Sequence, residues 1–235
     1  MAGLLLVGAW ADVLPGGWRL RGIVEAHGVR EGRERALHAA ERLREFAGED
    51  PRAIADAVVF VGSSTIERCP IEKLFPGVNA LNRGIGWAGA RELAVHLDRL
   101  LDGTPRAVVL YAGSPDRLDD PLDVEAVLSG IEALAVAVRG RLPDAPVLLL
   151  GLLPTTTTCG PESEAFARID AGIARIAADR RCEHVGFVGS ALLDEHGALR
   201  EDFSTDGLHL NEQGYAIFAD HLRAAPGPFA SLLAR

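Results

Sequence analysis

Short apolar runs alternate with amphipathic stretches along most of this 235-residue chain. Five runs have strand-like length and composition, at 57–61, 78–81, 106–112, 146–151 and 184–188. The segments between and after them repeat apolar residues at helical spacing, at 89–101, 122–141, 162–180 and 211–225. Continuous rather than alternating apolar strands are typical of strands buried on both faces. The pattern therefore predicts an α/β fold in which helices cover a parallel sheet.

The N-terminal part of the chain differs from this alternating region. A charged helix is predicted at 29–48, ahead of the first strand, and no long linker or internal repeat interrupts the remainder. We therefore predict an N-terminal extension over 1–50 that packs on the domain, followed by one domain over 51–235.

Composition limits the partners that the chain can have. A net charge of -9 argues against nucleic acid, which needs a clustered basic surface. Three scattered cysteines suggest neither a disulfide framework nor a zinc site, so we expect a cytoplasmic protein without metal or cofactor. Residues 1–11 resemble a signal segment but lack its positive start, and no run is long enough to cross a membrane. We expect a small-molecule substrate, and leave a protein partner or homo-oligomer open.

In a parallel α/β sheet, the functional crevice lies beyond the carboxyl ends of the strands. Ser64 follows the first predicted strand, where the start of a helix would favour a developing negative charge. The segment Ser64-Thr65-Ile66-Glu67 also has the capping-box pattern, so Ser64 can instead cap that helix. Ser63 is the neighbouring alternative for either role.

Asp206 and His209 form a second candidate pair, just ahead of the last predicted helix. At this spacing a carboxylate can bind one ring nitrogen and leave the other free as a general base. A helix-start aspartate beside a half-buried histidine would give the same pattern. If Ser64 lies near this pair, the three residues are the parts of an activated hydroxyl nucleophile.

Four segments, in this order, resemble the SGNH (GDSL-like) hydrolase family. They are Val59-Phe60-Val61-Gly62-Ser63-Ser64, Leu81-Asn82-Arg83-Gly84-Ile85-Gly86, Val108 to Asp116, and Asp206-Gly207-Leu208-His209-Leu210-Asn211. The resemblance extends from about residue 57 to 225 and does not include residues 1–50. It implies a three-layer α/β/α sandwich around a five-stranded parallel sheet, of flavodoxin-like type, and hydrolysis of esters.

By position in the family motifs, Ser64 would be the nucleophile, His209 the general base and Asp206 the carboxylate that orients it. Ser63 stands where the family usually has aspartate, which is a mild departure.

The resemblance also implies an altered oxyanion hole. Family members use the nucleophile's own N–H, a glycine N–H and an asparagine amide. Here Gly86 is followed by Trp87 at the glycine position, and Pro115 stands between Ser114 and Asp116 at the asparagine position. Tryptophan tolerates positive φ less well than glycine, and proline has no donor. Ser114, Arg83 or a threonine of 155–158 could replace the lost donor, although each also fits an ordinary structural role.

Three functions therefore remain open from the sequence. The first is a serine ester hydrolase with a remodelled oxyanion hole. The second is an enzyme of the same fold in specialised metabolism, in which His209 and Asp206 serve as a base for ring closure or elimination of an anionic leaving group. The third is a catalytically inactive binding or scaffold protein.

Overall fold

The fold is built on a five-stranded parallel sheet. A computed structural model describes residues 17–49, 53–118 and 122–234, with 17–29 and 117–118 described by their backbone alone. The strands are Val58–Gly62 (β1), Ala80–Gly84 (β2), Ala107–Tyr111 (β3), Val147–Leu150 (β4) and Glu183–Val185 (β5). They are arranged in the order β2-β1-β3-β4-β5, and all neighbours are parallel.

Helices occupy most of the connections between these strands. The α-helices are Gly17–Ala47 (α1), Ser64–Glu67 (α2), Ile71–Leu74 (α3), Ala90–Val95 (α4), Leu97–Leu100 (α5), Val124–Arg141 (α6), Pro161–Asp179 (α7), Glu212–Arg223 (α8) and Phe229–Leu233 (α9). Short 3₁₀ helices lie at Pro115–Leu118 and Glu201–Phe203.

The core lies between the central strands and the helices that cover them. Every residue of β1, β3 and β4 is buried, as the continuous apolar runs predict. In one group of helices, α4 contacts α6 and α6 contacts α7, while in a second group α8 contacts α3 and α9. The predicted α/β sandwich around a parallel sheet is confirmed.

Strand β2 is the strand that the sequence places least well. It lies at 80–84 rather than 78–81, and so includes the polar residues Asn82 and Arg83. Pairing with β1 fixes this register, because Asn82 lies opposite Phe60 and Arg83 opposite Val61. Long-range pairing, rather than local hydrophobicity, therefore sets the position of this edge strand.

Two predicted helices also differ from the structure. The expected helix at 89–101 is divided at His96, whose φ of -92° and ψ of 5° leave the helical region. Helix α1 begins at Gly17, earlier than the predicted residue 29. Asn211 opens α8 as predicted, and its side chain accepts a hydrogen bond from the Gly214 N–H at 2.9 Å.

Two compact units divide the chain, Met1–Glu41 and Arg42–Arg235. Within the second unit, the segment 42–49 is attached to the end of β2. The Arg42 guanidinium donates to the Gly84 carbonyl at 3.1 Å, and Glu49 accepts two hydrogen bonds from Arg83 at 3.0 and 2.8 Å. Arg83 also lies over the ring of Phe46. The proposed extension over 1–50 and its packing remain predictions.

The remaining sequence expectations concern targeting, membrane spans, cysteines and metal sites. The signal-like segment at 1–11 lies outside the described residues. Among the helices that are described, none combines the length and apolar character that crossing a membrane requires. All three cysteines are free. No cluster of three or more metal-binding side chains occurs in the described parts of the chain.

Candidate active site

The carboxyl ends of β1 and β3 form the crevice that the fold provides. In the order β2-β1-β3-β4-β5, the chain moves outward in opposite directions from β1 and β3. Such a switch point is where open α/β sheets bind ligands. Gly62 and Tyr111 pair at the last register position of β1 and β3, so the segments that follow them lie side by side at this point.

Ser64 is the first residue of α2, directly beyond β1. The residue at the N-cap is Ser63, which makes no side-chain capping bond, and its hydroxyl oxygen is buried without a partner among the described residues. The Ser64 Oγ instead lies 2.9 Å from the His209 Nε2. The alternative in which Ser64 serves as the helix cap is therefore wrong.

His209 connects Ser64 to Asp206. Its Nδ1 lies 2.8 Å from the Asp206 Oδ2, and its Nε2 faces the Ser64 hydroxyl. If Nδ1 carries the proton and donates a hydrogen bond to the carboxylate, Nε2 is left as the acceptor for the serine hydroxyl. The His209 side chain is 11% exposed, whereas 46% of the Asp206 side chain is accessible. The fold thus joins a serine and a histidine that are 145 residues apart.

The loop that carries Asp206 and His209 is held by its own hydrogen bonds. The His209 carbonyl accepts from the N–H and hydroxyl of Thr205 at 2.9 and 3.2 Å, and from the Ser204 hydroxyl at 3.0 Å. Ser204 in turn accepts from the Gly207 N–H at 2.8 Å. Gly207 has a φ of 85°, which a glycine adopts without strain. The local sequence therefore holds the backbone that carries the imidazole.

The Asp206 carboxylate remains ionised across a wide pH range. Burial raises its pKa, but hydrogen bonds from the His209 N–H and ring and from the Leu208 N–H outweigh burial and lower the pKa to about 2. A further cation, Arg68, lies with its Nη1 3.6 Å from the Asp206 Oδ2. Both side chains are about half exposed, so this ion pair is weak.

Strand β2 and the segment after it are attached to α2 and the residues that follow α2. The Asn82 amide donates to the carbonyls of Ile66 at 2.7 Å and Cys69 at 3.2 Å. The Gly86 N–H donates to the Glu67 carboxylate, one turn after Ser64. Gly84 packs so closely on the Glu67 backbone that a Cβ at this position would clash. These contacts place the segment from Gly86 beside the nucleophile candidate.

Trp87 has a backbone conformation that glycine adopts more readily than other residues. Its φ is 63°, in the left-handed region that residues with a Cβ rarely occupy. Tryptophan tolerates positive φ less well than glycine, but Trp87 adopts a positive φ in this structure. The side chain is 52% exposed, so the indole is not a core residue.

The three residues predicted around the asparagine position have separate environments. The Ser114 hydroxyl lies 3.1 Å from the Tyr111 hydroxyl, which accepts from the Leu153 N–H at 3.2 Å. Pro115 begins a 3₁₀ helix and is half-buried. Asp116 accepts a hydrogen bond from the Ala90 N–H at 2.8 Å, at the start of α4. Asp116 thus links the segment after β3 to the segment after β2.

Arg83 is one of the residues suggested to replace the oxyanion donor. Its guanidinium is instead bound by Glu49, and its side chain is 5% exposed. In the 155–158 loop, the Thr155 hydroxyl lies 3.0 Å from those of both Thr157 and Thr158. The Thr156 N–H donates to the Gly207 carbonyl at 2.9 Å. This loop therefore contacts the Asp206–His209 loop directly.

Comparison with known proteins identifies the family. The model of the GDSL-like lipase/acylhydrolase family matches residues 66–217, which is more than half of the chain. This chain belongs to that family. The match includes Asp206 and His209 and begins two residues after Ser64.

Curated relatives and solved structures agree with the family. Platelet-activating factor acetylhydrolase IB subunit alpha1 of Pongo abelii is 30% identical over 165 residues, which cover 68% of this chain and 70% of the relative. The Homo sapiens protein of that name is 29% identical over 164 residues, covering 67% and 70%.

A structure from Streptococcus pneumonia matches with a TM-score of 0.74 at 23% identity, over 86% of this chain and 97% of that one. A GDSL-like lipase from Bacteroides thetaiotaomicron matches with a TM-score of 0.59 at 21% identity, over 77% and 92%. These two structures support the fold.

Sequence reasoning did not identify Arg68 or Glu67 as neighbours of the candidate site. Both lie within one turn of Ser64, so helical spacing from the nucleophile candidate was an available signal. Their partners, Asp206 and Gly86, are distant in the sequence. Only the fold brings these pairs together.

Proposed function

We propose that this member of the GDSL-like acylhydrolase family is a serine hydrolase that cleaves a short acyl ester of a small molecule. The continuous set of contacts from Ser64 through His209 to Asp206 carries the proposal. The relatives named as acetylhydrolases favour acetyl as the acyl group.

In the acylation step, the His209 Nε2 takes the proton of Ser64 while the Ser64 Oγ attacks the ester carbonyl carbon. The carbonyl electrons move to the oxygen, and their return expels the alcohol, which receives the proton from His209. Water then attacks the acyl-Ser64 ester with His209 again as base, and releases the carboxylic acid. Asp206 stays ionised throughout and stabilises the imidazolium.

The oxyanion would be bound by a reduced set of donors. Ser64 is the first residue of α2, so its N–H has no intrahelical acceptor. Trp87 has a glycine-like backbone, and we assign its N–H the role of the family glycine. Pro115 supplies nothing in place of the asparagine amide. Loss of one such donor typically lowers kcat by ~10²–10³, so we expect a slow enzyme.

Release of p-nitrophenol from p-nitrophenyl acetate tests this function. Wild type should exceed Ser64→Ala by at least ~10³-fold in kcat/KM. Ser63→Ala is a matched control at the adjacent buried serine and should retain most of the activity. Equal rates in wild type and Ser64→Ala, with both proteins folded, would defeat the proposal.

Pro115 also favours a second candidate, in which His209 acts as a base without an acyl intermediate. Proton removal that leads to ring closure or elimination of an anionic leaving group needs a base but no oxyanion hole. Such an enzyme would lose turnover of its substrate in His209→Ala and keep it in Ser64→Ala. Under the first proposal, both variants are inactive.

A further inference from the structure

Two carboxylates hold the segment 86–90 at its ends. At the start, Glu67 accepts a hydrogen bond from the Gly86 N–H. At the other end, Asp116 accepts from the Ala90 N–H at 2.8 Å and lies so close to Gly89 that a Cβ there would meet its carboxylate. The conformation of Trp87, between these two anchors, is therefore imposed by contacts outside residue 87 itself.

The tryptophan is a costly residue at this position. With a φ of 63° it occupies a region that disfavours any residue with a Cβ, and glycine would be accommodated without strain. Half of the side chain is exposed, so burial in the core does not require an indole. Strained residues that the surrounding structure holds in place are concentrated at functional sites. Strain and exposure together make Trp87 a candidate for a functional role.

The position of the segment indicates what that role is. Gly84, at the end of β2, pairs with Gly62, at the end of β1, and Ser64 lies two residues beyond Gly62. The anchor Glu67 belongs to the same short helix as Ser64. The indole thus belongs to the segment next to the nucleophile candidate. Its flat apolar faces suit contact with a planar apolar group.

We propose that Trp87 determines substrate specificity by packing against a planar apolar group, such as an aromatic ring, on the alcohol side of the ester. This inference rests on the proposed ester hydrolysis. Because the acyl group is taken to be short, the alcohol is the part of the substrate that varies and is available for recognition. Replacement of the family glycine would then add a contact surface without loss of the backbone N–H.

Two acetate esters and three variants test the role of Trp87. The esters are 2-naphthyl acetate, which has a planar alcohol, and 2,2,2-trifluoroethyl acetate, which does not. The variants are Trp87→Gly, Trp87→Phe and, as a control at another exposed apolar residue, Val95→Ala. Ratios of each variant to wild type cancel the intrinsic reactivity of the leaving groups.

Trp87→Gly should lower kcat/KM for the naphthyl ester about 10-fold, mainly through KM, because the ring contact is lost. The loss for the naphthyl ester should exceed any loss for the trifluoroethyl ester by at least about 3-fold. Trp87→Phe should recover most of the loss, and Val95→Ala should behave as wild type. An equal loss for both esters, or a gain for the naphthyl ester in Trp87→Gly, would overturn the inference.

A binding measurement separates this inference from the proposed function. In a Ser64→Ala background, 2-acetonaphthone is an unreactive analogue whose affinity can be measured by NMR titration. Weaker binding after Trp87→Gly, with affinity kept in Trp87→Phe, would support the inference even if no ester were hydrolysed. Unchanged affinity in Trp87→Gly, or no binding to the Ser64→Ala protein, would overturn it.

Discussion

The candidate site has two parts that follow the family pattern to different degrees. We call the loop with Asp206 and His209 the preserved part, and the segments with Trp87 and Pro115 the altered part. In the first, each polar side-chain atom of the pair has a partner at 2.8 to 3.1 Å, and the imidazole faces a serine hydroxyl. In the second, Trp87 and Pro115 stand where the family resemblance implies a glycine and an asparagine, and Trp87 has a φ of 63°. Under the proposed function, proton transfer and oxyanion binding are therefore separable, and the second can change while the first is kept.

The largest effect should come from the preserved part. His209→Gln removes the base that accepts the Ser64 proton, and we expect esterase kcat to fall by ~10³–10⁴. The glutamine is close in size, so the fold should survive, which circular dichroism and thermal melting can check. A loss of less than 10-fold would show that the Asp206–His209 loop does not carry the chemistry, and would remove the contrast between the two regions.

An opposite and smaller effect should come from the altered part. Pro115→Asn restores an amide at the family's oxyanion position, and we expect kcat to rise by about 10- to 100-fold with little change in KM. Pro115→Ala is the matched control, because it also removes the proline ring but adds no donor. If the alanine variant gains as much as the asparagine variant, the missing amide does not limit the rate.

The smallest effect concerns stability at acidic pH. The pKa of Asp206 is about 2 in the folded protein and near 3.8 when unperturbed. Ionised Asp206 therefore stabilises the fold above about pH 4, and this contribution is lost as the pH falls towards 2. Asp206→Asn should lower the urea midpoint at pH 6, and its difference from wild type should shrink between pH 4 and 2. A difference that does not change with pH would contradict the role of the carboxylate charge.

Much of the preserved part could be predicted from the sequence because its determinants are local. Asp206, Gly207 and His209 lie in one turn, and the spacing alone suggests a carboxylate that orients an imidazole. The buried central strands can be predicted equally well, because continuous apolar runs indicate burial on both faces. The place of Ser64 beyond the first strand follows once the parallel sheet is assumed, whereas its contact with His209 is a finding of the structure.

The altered part could not be predicted because its determinants are distant in the sequence. Nothing near Trp87 indicates a φ of 63°, which depends on hydrogen bonds to Glu67 and Asp116 at the two ends of its segment. The position of β2 likewise depends on pairing with β1 and on the bond between Arg83 and Glu49. Capping patterns were misleading at Ser64, because a capping sequence and a nucleophile at the start of a helix use the same residue types.

The central claim is that Ser64 is a covalent nucleophile activated by His209. Reaction with p-nitrophenyl dimethylcarbamate tests it, because a carbamoyl-serine hydrolyses slowly enough to be isolated. We predict a burst of p-nitrophenol equal to the amount of enzyme, a dimethylcarbamoyl group on the peptide that contains Ser64, and neither in Ser64→Ala or His209→Gln. An adduct on another residue, or steady ester hydrolysis by wild type with Ser64 unmodified, would contradict the account.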